Sequence, residues 1–284
     1  MRFEKVCIEG LAYHLPDNVV TSADIENRLA PLYERLKLPQ GRLELMSGIR
    51  ERRFWDEGVF PSEVATFAGR KAITSSGIDP AQIGCLINAS VCRDFLEPST
   101  ASVIHNNLKL PSEAFVFDVS NACLGVLNGM ILVASMIEQN QILAGLVVAG
   151  ENGGPLVNHT IETLLSRTDI NRKQVKSSFA SLTIGSSAVG VLLTHEKIAK
   201  QNHHLVGGIS MAETQFNHLC RGSDDSGAGG GWSPLMETDS ETLMVEGCRL
   251  AGKTWVRTRE ELGWNDDEIN RVFCHQVGKG HRKL

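Results

Sequence analysis

The chain lacks any apolar stretch long enough for a signal peptide or a bilayer span, and its amino terminus, Met1-Arg-Phe-Glu-Lys-Val6, runs straight into a strand-like pattern. A cytoplasmic protein with no membrane span is therefore expected. There is no basic excess either. Lys and Arg number 28 against 33 Asp and Glu, for a formal net charge of −5, and the two signs are interspersed. No broad basic face is left to follow a phosphate backbone, so nucleic acid is not an expected partner. The seven cysteines (Cys7, Cys85, Cys92, Cys123, Cys220, Cys248 and Cys274) show neither Cys-x-x-Cys spacing nor a Cys/His ladder. A disulfide framework and a metal site are both disfavoured, and for most of these thiols the ordinary role is a small buried hydrophobe. Neither the Gly150 to Pro155 segment nor the Ile184 to Ala188 segment matches GxGxxG or GxxxxGKS/T. These glycine turns thus give no support for nucleotide binding.

What is present is the profile of a globular protein that can bury a large core, with 284 residues, 42% hydrophobic and 21% charged. Apolar runs suited to buried strands (Cys85 to Ser90, Phe115 to Val119, Leu143 to Ala149, Ala188 to Leu193, Val272 to Cys274) alternate with helix-length amphipathic stretches. That alternation predicts α/β layers built on largely buried sheets. Gly222 to Trp232, rich in Gly, Ser and Asp, reads as a flexible surface insertion.

The chain also matches itself. Ser76 to Asn88 superposes without a gap on Leu262 to Cys274 at an offset of 186. Each copy has a helix ending at a glycine (Gly77, Gly263), a short polar turn, an isoleucine (Ile83, Ile269) and an apolar strand, and a helix-like segment precedes each (Val64 to Ser75, Met244 to Glu261). A duplicated α/β unit follows, with residues 1–200 as an amino-terminal half and 201–284 as a carboxyl-terminal half. At this offset residue 284 corresponds to residue 98, so the second copy is expected to stop early.

Four places are candidates for chemistry. In Phe115 to Met136, an apolar strand leads through a tight polar turn into an almost wholly apolar helix that begins near Cys123. A cysteine at a buried helix amino terminus faces unpaired N–H groups and the positive end of the dipole. Both favour a thiolate, and both suit a thioester oxyanion. A core cysteine that only fills space fits the same local pattern. Gly125 and Gly129 in that helix predict a close approach of backbone or ligand. His275 follows the apolar run Arg271 to Cys274 and precedes a glycine-bearing loop, where α/β folds display catalytic groups, although a satisfied edge histidine reads the same way. Under the duplication, Cys123 and His275 meet between the halves. Glu97, flanked by Leu96 and Pro98, is expected to be desolvated and raised toward the range of a general base; the alternative is a solvated loop acid. Finally, Ser47 to Phe54 groups Arg50, Arg52 and Arg53 as either a phosphate-binding rim or an ion-paired turn.

Taken together, Ser47-Gly-Ile-Arg-Glu-Arg-Arg53, the cysteine elbow Asp118 to Gly125 and the pair His275-Gln276 resemble the ketoacyl synthase III branch of the thiolase superfamily over essentially the whole chain. Leu86 to Ser102 and Asn217 to Gly222 look most like its olefin-biosynthesis, acyl-CoA condensing members. The resemblance implies a five-layered αβαβα fold, a homodimer, and acyl-CoA or an acyl carrier protein as substrate carrier with no bound cofactor. It implies non-decarboxylative Claisen condensation of two long-chain acyl-CoA molecules. Cys123 would accept the first acyl group, His275 would assist thioester activation, and Glu97, reaching the partner subunit's site, would remove the α-proton of the second substrate. The arginines would then line a coenzyme A or carrier-protein rim. Two departures stand out. The Trp and Arg that usually clasp adenine before this arginine segment are replaced by Gly41 to Met46, and the family's catalytic asparagine and Gly-Ser-Gly turn would fall after Leu284. A decarboxylative 3-oxoacyl-carrier-protein synthase III of fatty acid biosynthesis and a catalytically silent homologue are the competing expectations.

Overall fold

A computed structural model describes residues 1–222 and 236–284. The expected surface insertion therefore lies, from residue 223 on, outside the described residues. In chain order the amino-terminal part contains β1 (Val6–His14), β2 (Asn18–Thr21), α1 (Ser22–Arg28), α2 (Ala30–Leu36), α3 (Arg42–Ser47), β3 (Glu51–Phe54) and α4 (Pro61–Ser76). There follow β4 (Ile83–Asn88), α5 (Thr100–Leu108), β5 (Phe115–Asp118), α6 (Gly125–Glu138), β6 (Ala144–Glu151), α7 (Gly154–Ser166), α8 (Arg172–Leu182) and β7 (Ser187–His195). The remainder holds β8 (Cys220–Arg221), β9 (Glu237–Thr238), α9 (Ser240–Leu262) and α10 (Lys279–Lys283). Among the described residues no helix is long and apolar enough to cross a membrane.

The main sheet runs β1-β7-β6-β4-β5 and is mixed: β4 is parallel to both β5 and β6, while β7 is antiparallel to β6 and β1. Its central strands are continuous apolar runs because both faces are covered. Leu86, Leu146, Val148 and Leu192 pack with Ala65, Ala72, Ile73 and Ile104 of α4 and α5 on one face. Alternate residues Cys85, Ile87, Val147, Val191 and Leu193 pack with Val133, Ala134 and Ile137 of α6 on the other. The period of two thus divides each strand between two cores, one per helix layer. A third cluster, Ile25, Leu29, Leu32, Leu43, Phe54, Ile161, Val175 and Leu182 among its members, ties α1, α2, α3, α7 and α8 together beside the sheet.

The internal match holds in local geometry. α4 ends on Gly77 at φ 66° and α9 ends on Gly263 at φ 71°, the left-handed conformation that glycine adopts without strain. A one-turn 3₁₀ helix follows each, at Pro80–Gln82 and Asp266–Glu268, and then an extended isoleucine, Ile83 or Ile269. There the copies part. Ile83 opens β4, whereas Val272 to Cys274, expected as a buried strand, pairs with nothing among the described residues: Val272 is 64% and Phe273 93% exposed. A strand needs a ladder to satisfy its backbone groups, and β8 and β9 pair only with each other.

Candidate active site

The parallel strands β4 and β6 end side by side, and β7 starts at the same rim. Carboxyl ends of parallel strands are where open α/β sheets place reactive groups. A cavity of 160 Å³ opens there, walled by Ala89 just past β4, Ala149 and Glu151 at the end of β6, Ser187 and Val189 of β7, and Ala122, Cys123 and Val126. Cys123 is exposed and lies in the 3₁₀ turn Ala122–Leu124, one step ahead of α6. It therefore differs from the buried helix-opening cysteine expected from the pattern. The turn is an elbow: Ala122 adopts φ 43°, a left-handed value uncommon for a residue with a Cβ, and this tight reversal between β5 and α6 presents the next side chain to the cavity. No side chain caps α6, whose amino-terminal cap position is Leu124, so no side-chain oxygen competes for the N–H groups of its first turn.

Glycine makes the elbow's position attainable. A Cβ on Gly125 would lie 2.4 Å from the Ala89 carbonyl oxygen, and one on Gly129 would lie 2.8 Å from Val147 Cγ1. Both predicted close approaches exist, one to the backbone at the end of β4 and one to the sheet. The other face of α6 is not covered, contrary to the wholly interior helix that the composition suggested: Leu124, Leu127 and Leu132 are 52%, 55% and 42% exposed.

Of the other cysteines, Cys85 is sealed in the sheet, where burial pushes its thiol up to about 12. Cys92 is likewise pushed up to about 12, by burial first and then by the charge of Glu151. Both stay protonated at neutral pH and are poor nucleophiles. Cys123 alone among the cysteines lines the 160 Å³ cavity.

The remaining sequence-predicted residues are not gathered around it. His275 is exposed in the unpaired stretch after α9, not at a strand end, and does not line the cavity. Glu97 is exposed in the loop between β4 and α5, so within one chain it is solvated rather than desolvated; its neighbours Phe95 and Leu96, at 49% and 53% exposure, do not cover it. The arginines do not form one rim. Alternation on β3 turns Arg52 inward, where it is 5% exposed and donates to the Val20 carbonyl and Ser22 Oγ, while Arg53 donates to the Pro16 carbonyl and Arg50 stays at the surface.

Two residues that sequence reasoning did not single out hold the site's frame. Glu151 Oε1 accepts from the Val91 N–H at 2.7 Å and Oε2 from the Cys92 N–H at 3.2 Å, while its carbonyl accepts from Trp55 Nε1. Asp118 accepts from the N–H groups of Thr100 (3.0 Å) and Ala101 (2.8 Å) and from Asn88 Nδ2. The available signal was an acid closing each of two apolar runs at the strand ends. A wider cleft of 510 Å³ on the α4 side is lined by His14, Trp55, Phe67 and Arg70 among others, with no cysteine in its lining.

No family model matches the chain. An acyl-CoA:acyl-CoA alkyltransferase of Shewanella oneidensis is 39% identical over 286 residues, covering 100% of this chain and 81% of that protein. The chain belongs to the acyl-CoA:acyl-CoA alkyltransferase family. A second alkyltransferase, from Xanthomonas campestris pv. campestris, is 38% identical over 281 residues, covering 99% of this chain and 80% of that one. The crystal structure of cerulenin-bound Xanthomonas campestris OleA superposes at TM-score 0.91 and 37% identity, over 100% of this chain and 79% of its own length. A glutamate-to-alanine variant of that OleA gives TM-score 0.92 at 36% identity. The fold is thus the thiolase-like α/β architecture of these alkyltransferases. Similarity to a β-ketoacyl-carrier-protein synthase III of Koribacter versatilis is narrower, at 31% identity over 153 residues and 54% of this chain.

Proposed function

We propose that this alkyltransferase-family chain joins two long-chain acyl-CoA molecules head to head by a non-decarboxylative Claisen condensation. Cys123 attacks the first thioester, releases coenzyme A and holds the acyl group as a new thioester. Thiolate and thioester exchange at little thermodynamic cost. Glu97 takes the α-proton of the second acyl-CoA, and the resulting carbanion attacks the acyl-cysteine carbonyl. A carbon–carbon bond forms, the carbon–sulfur bond breaks, and the Cys123 thiolate is returned. His275 assists thioester activation, and Arg50, the arginine of its trio left at the surface, is the one free to meet coenzyme A or carrier-protein phosphate.

The observation that carries this reading is the exposed Cys123 on its left-handed elbow at the cavity where β4 and β6 end. A homodimer belongs to the same proposal. β5 is an edge strand of the sheet, Phe115 on it is 57% exposed, and the apolar face of α6 beside it is open. A solvated Glu97 on an apolar loop is suited to work inside a partner's site, where burial would raise it toward a base's range.

Incubation with a long-chain acyl-CoA alone is expected to yield free coenzyme A and a β-keto product carrying both chains, seen by mass spectrometry. A product that forms only when a malonyl thioester is supplied would replace this reading with a decarboxylative one.

A further inference from the structure

The loop between β4 and α5 carries Glu97, and both of its feet are held by carboxylates at the ends of the strands that flank β4. At the first foot, Glu151 binds the consecutive N–H groups of Val91 and Cys92, one with each oxygen. At the second, Asp118 binds those of Thr100 and Ala101. Glu151 ends β6 and Asp118 ends β5, the two neighbours of β4, so the sheet itself sets the spacing of the feet. Further contacts secure the first foot: Gly150 N–H donates to Ser90 Oγ at 2.8 Å, Asn152 N–H donates to Cys92 Sγ at 3.4 Å, and the Cys92 thiol donates to the Asn152 carbonyl at 3.6 Å. Residues 95–98, between the feet, are exposed.

The two clamps differ in one respect. Asp118 does not line the cavity, whereas Glu151 does, together with Cys123. Glu151 therefore borders the cavity that Cys123 lines and, through its carboxylate, holds the backbone that aims Glu97. We propose that Glu151 is a positioning residue for the condensation step: from the border of the cavity of Cys123 it fixes the first foot of the Glu97 loop, and so the place of the base. This rests on the reading of Glu97 as the base that takes the α-proton. A carboxylate accepting two backbone N–H groups suits the task because both are charge-assisted bonds in fixed geometry. Glutamine at this position keeps the shape but offers one acceptor oxygen and, on the other side, a donor facing a donor.

The test compares Glu151→Gln, Glu151→Asp and Glu97→Gln in the full chain. Acylation of Cys123 by long-chain acyl-CoA is followed by intact mass, condensation by product formation, and the loop by hydrogen exchange at residues 90–99. For Glu151→Gln we expect acylation to be largely retained, faster exchange at Val91 and Cys92, and condensation reduced roughly ten- to a hundredfold, the scale at which small displacements of a reacting group act. Glu151→Asp, which keeps the charge, is expected to recover part of the condensation rate. Adding Glu151→Gln to Glu97→Gln is expected to lower the residual rate no further, because the clamp acts only through the base. Parallel loss of acylation and condensation in Glu151→Gln would overturn the proposal, as would unchanged condensation beside a loosened loop. If Glu97→Gln itself condenses normally, the base assignment fails and takes the clamp's role with it. If Glu97→Gln loses condensation while Glu151→Gln does not, the clamp alone is wrong.

Discussion

At the scale of single residues, the proposed mechanism assigns Cys123 and Glu97 to different half-reactions, and their surroundings differ accordingly. Cys123 borders a cavity from a tight turn, whereas Glu97 sits on an exposed stretch of a loop that is clamped at its feet and tied through Asp94, which accepts from the Ser62 N–H. Cys123→Ala is expected to abolish acyl transfer to the protein. An alanine variant that still gains the mass of an acyl chain from acyl-CoA would count against the nucleophile assignment. Glu97→Gln is expected to accept the first acyl group at close to the parent rate yet to lose condensation by a factor of about 10² or more, the lower range for removal of a general base. Single-turnover labelling followed by product analysis separates the two steps. Equal loss of both would sink the division of labour. Cys92 is a useful contrast, because its thiol, pushed up to about 12 by burial and by Glu151, should resist alkylation at pH 7 while exposed Cys123 reacts.

At the scale of elements, the position of α6 depends on glycines and on the elbow before them. Gly125→Ala places a Cβ 2.4 Å from the Ala89 carbonyl oxygen, and a backbone neighbour cannot step aside as a side chain would. The substitution is expected to destabilise the fold by about 1–3 kcal/mol and to slow acylation by moving Cys123, measured by chemical denaturation and by the labelling rate. A tolerated alanine with unchanged kinetics would mean that the approach of α6 to β4 is looser than drawn. The start of α1 carries a pH-dependent contribution. Thr21 caps the helix, and hydrogen bonds from its side chain and backbone hold the Asp24 carboxyl below its ordinary 3.8. A depressed value in the folded state means that the ionised form stabilises folding. The contribution is present above pH 3.8 and is lost as pH falls through the lower folded value. Asp24→Asn should therefore weaken the protein at neutral pH but flatten the acid limb of its stability curve below pH 3.8; an unchanged acid limb would remove Asp24 from the account.

At the scale of the whole molecule, an edge strand and one helix face are both left uncovered. β5 closes one side of the sheet with Phe115 in the open, and Leu124 just before α6 and Leu127 within it are exposed nearby in sequence. Phe115→Lys puts a charge on that edge, a device natural sheets use against edge pairing. If β5 is the dimer seam, sedimentation should show a monomer, and condensation should fall further than acylation, because in the proposed mechanism only condensation uses Glu97 from a partner. A variant that stays dimeric would place the seam elsewhere. In the helical cluster beside the sheet, buried Glu26 accepts from Tyr33 Oη, Gly41 N–H and Leu43 N–H, joining α1 to the start of α3. Glu26→Ala should cost at least ~2 kcal/mol, since it strands buried donors.

The sequence by itself determined the local grammar. The runs at Cys85, Leu143 and Ala188 became β4, β6 and β7 because apolar residues on both sides of a strand require a sheet covered on both faces, and the run at Phe115 became the half-covered edge strand β5. Gly77 and Gly263 became left-handed helix ends, and Cys123 was singled out by the strand and helix around it. Tertiary structure decided what depends on contacts between distant segments. Val272 to Cys274 carry the composition of a strand but stay unpaired, since a strand exists only when a neighbour offers a ladder. Arg52 went inward and Arg53 did not, because the pairing of β3 with β2 chose which face meets the core. Glu151 and Asp118 became clamps because the order β6-β4-β5 sets two acids, 33 residues apart in the chain, on either side of one loop, a proximity that no local pattern encodes.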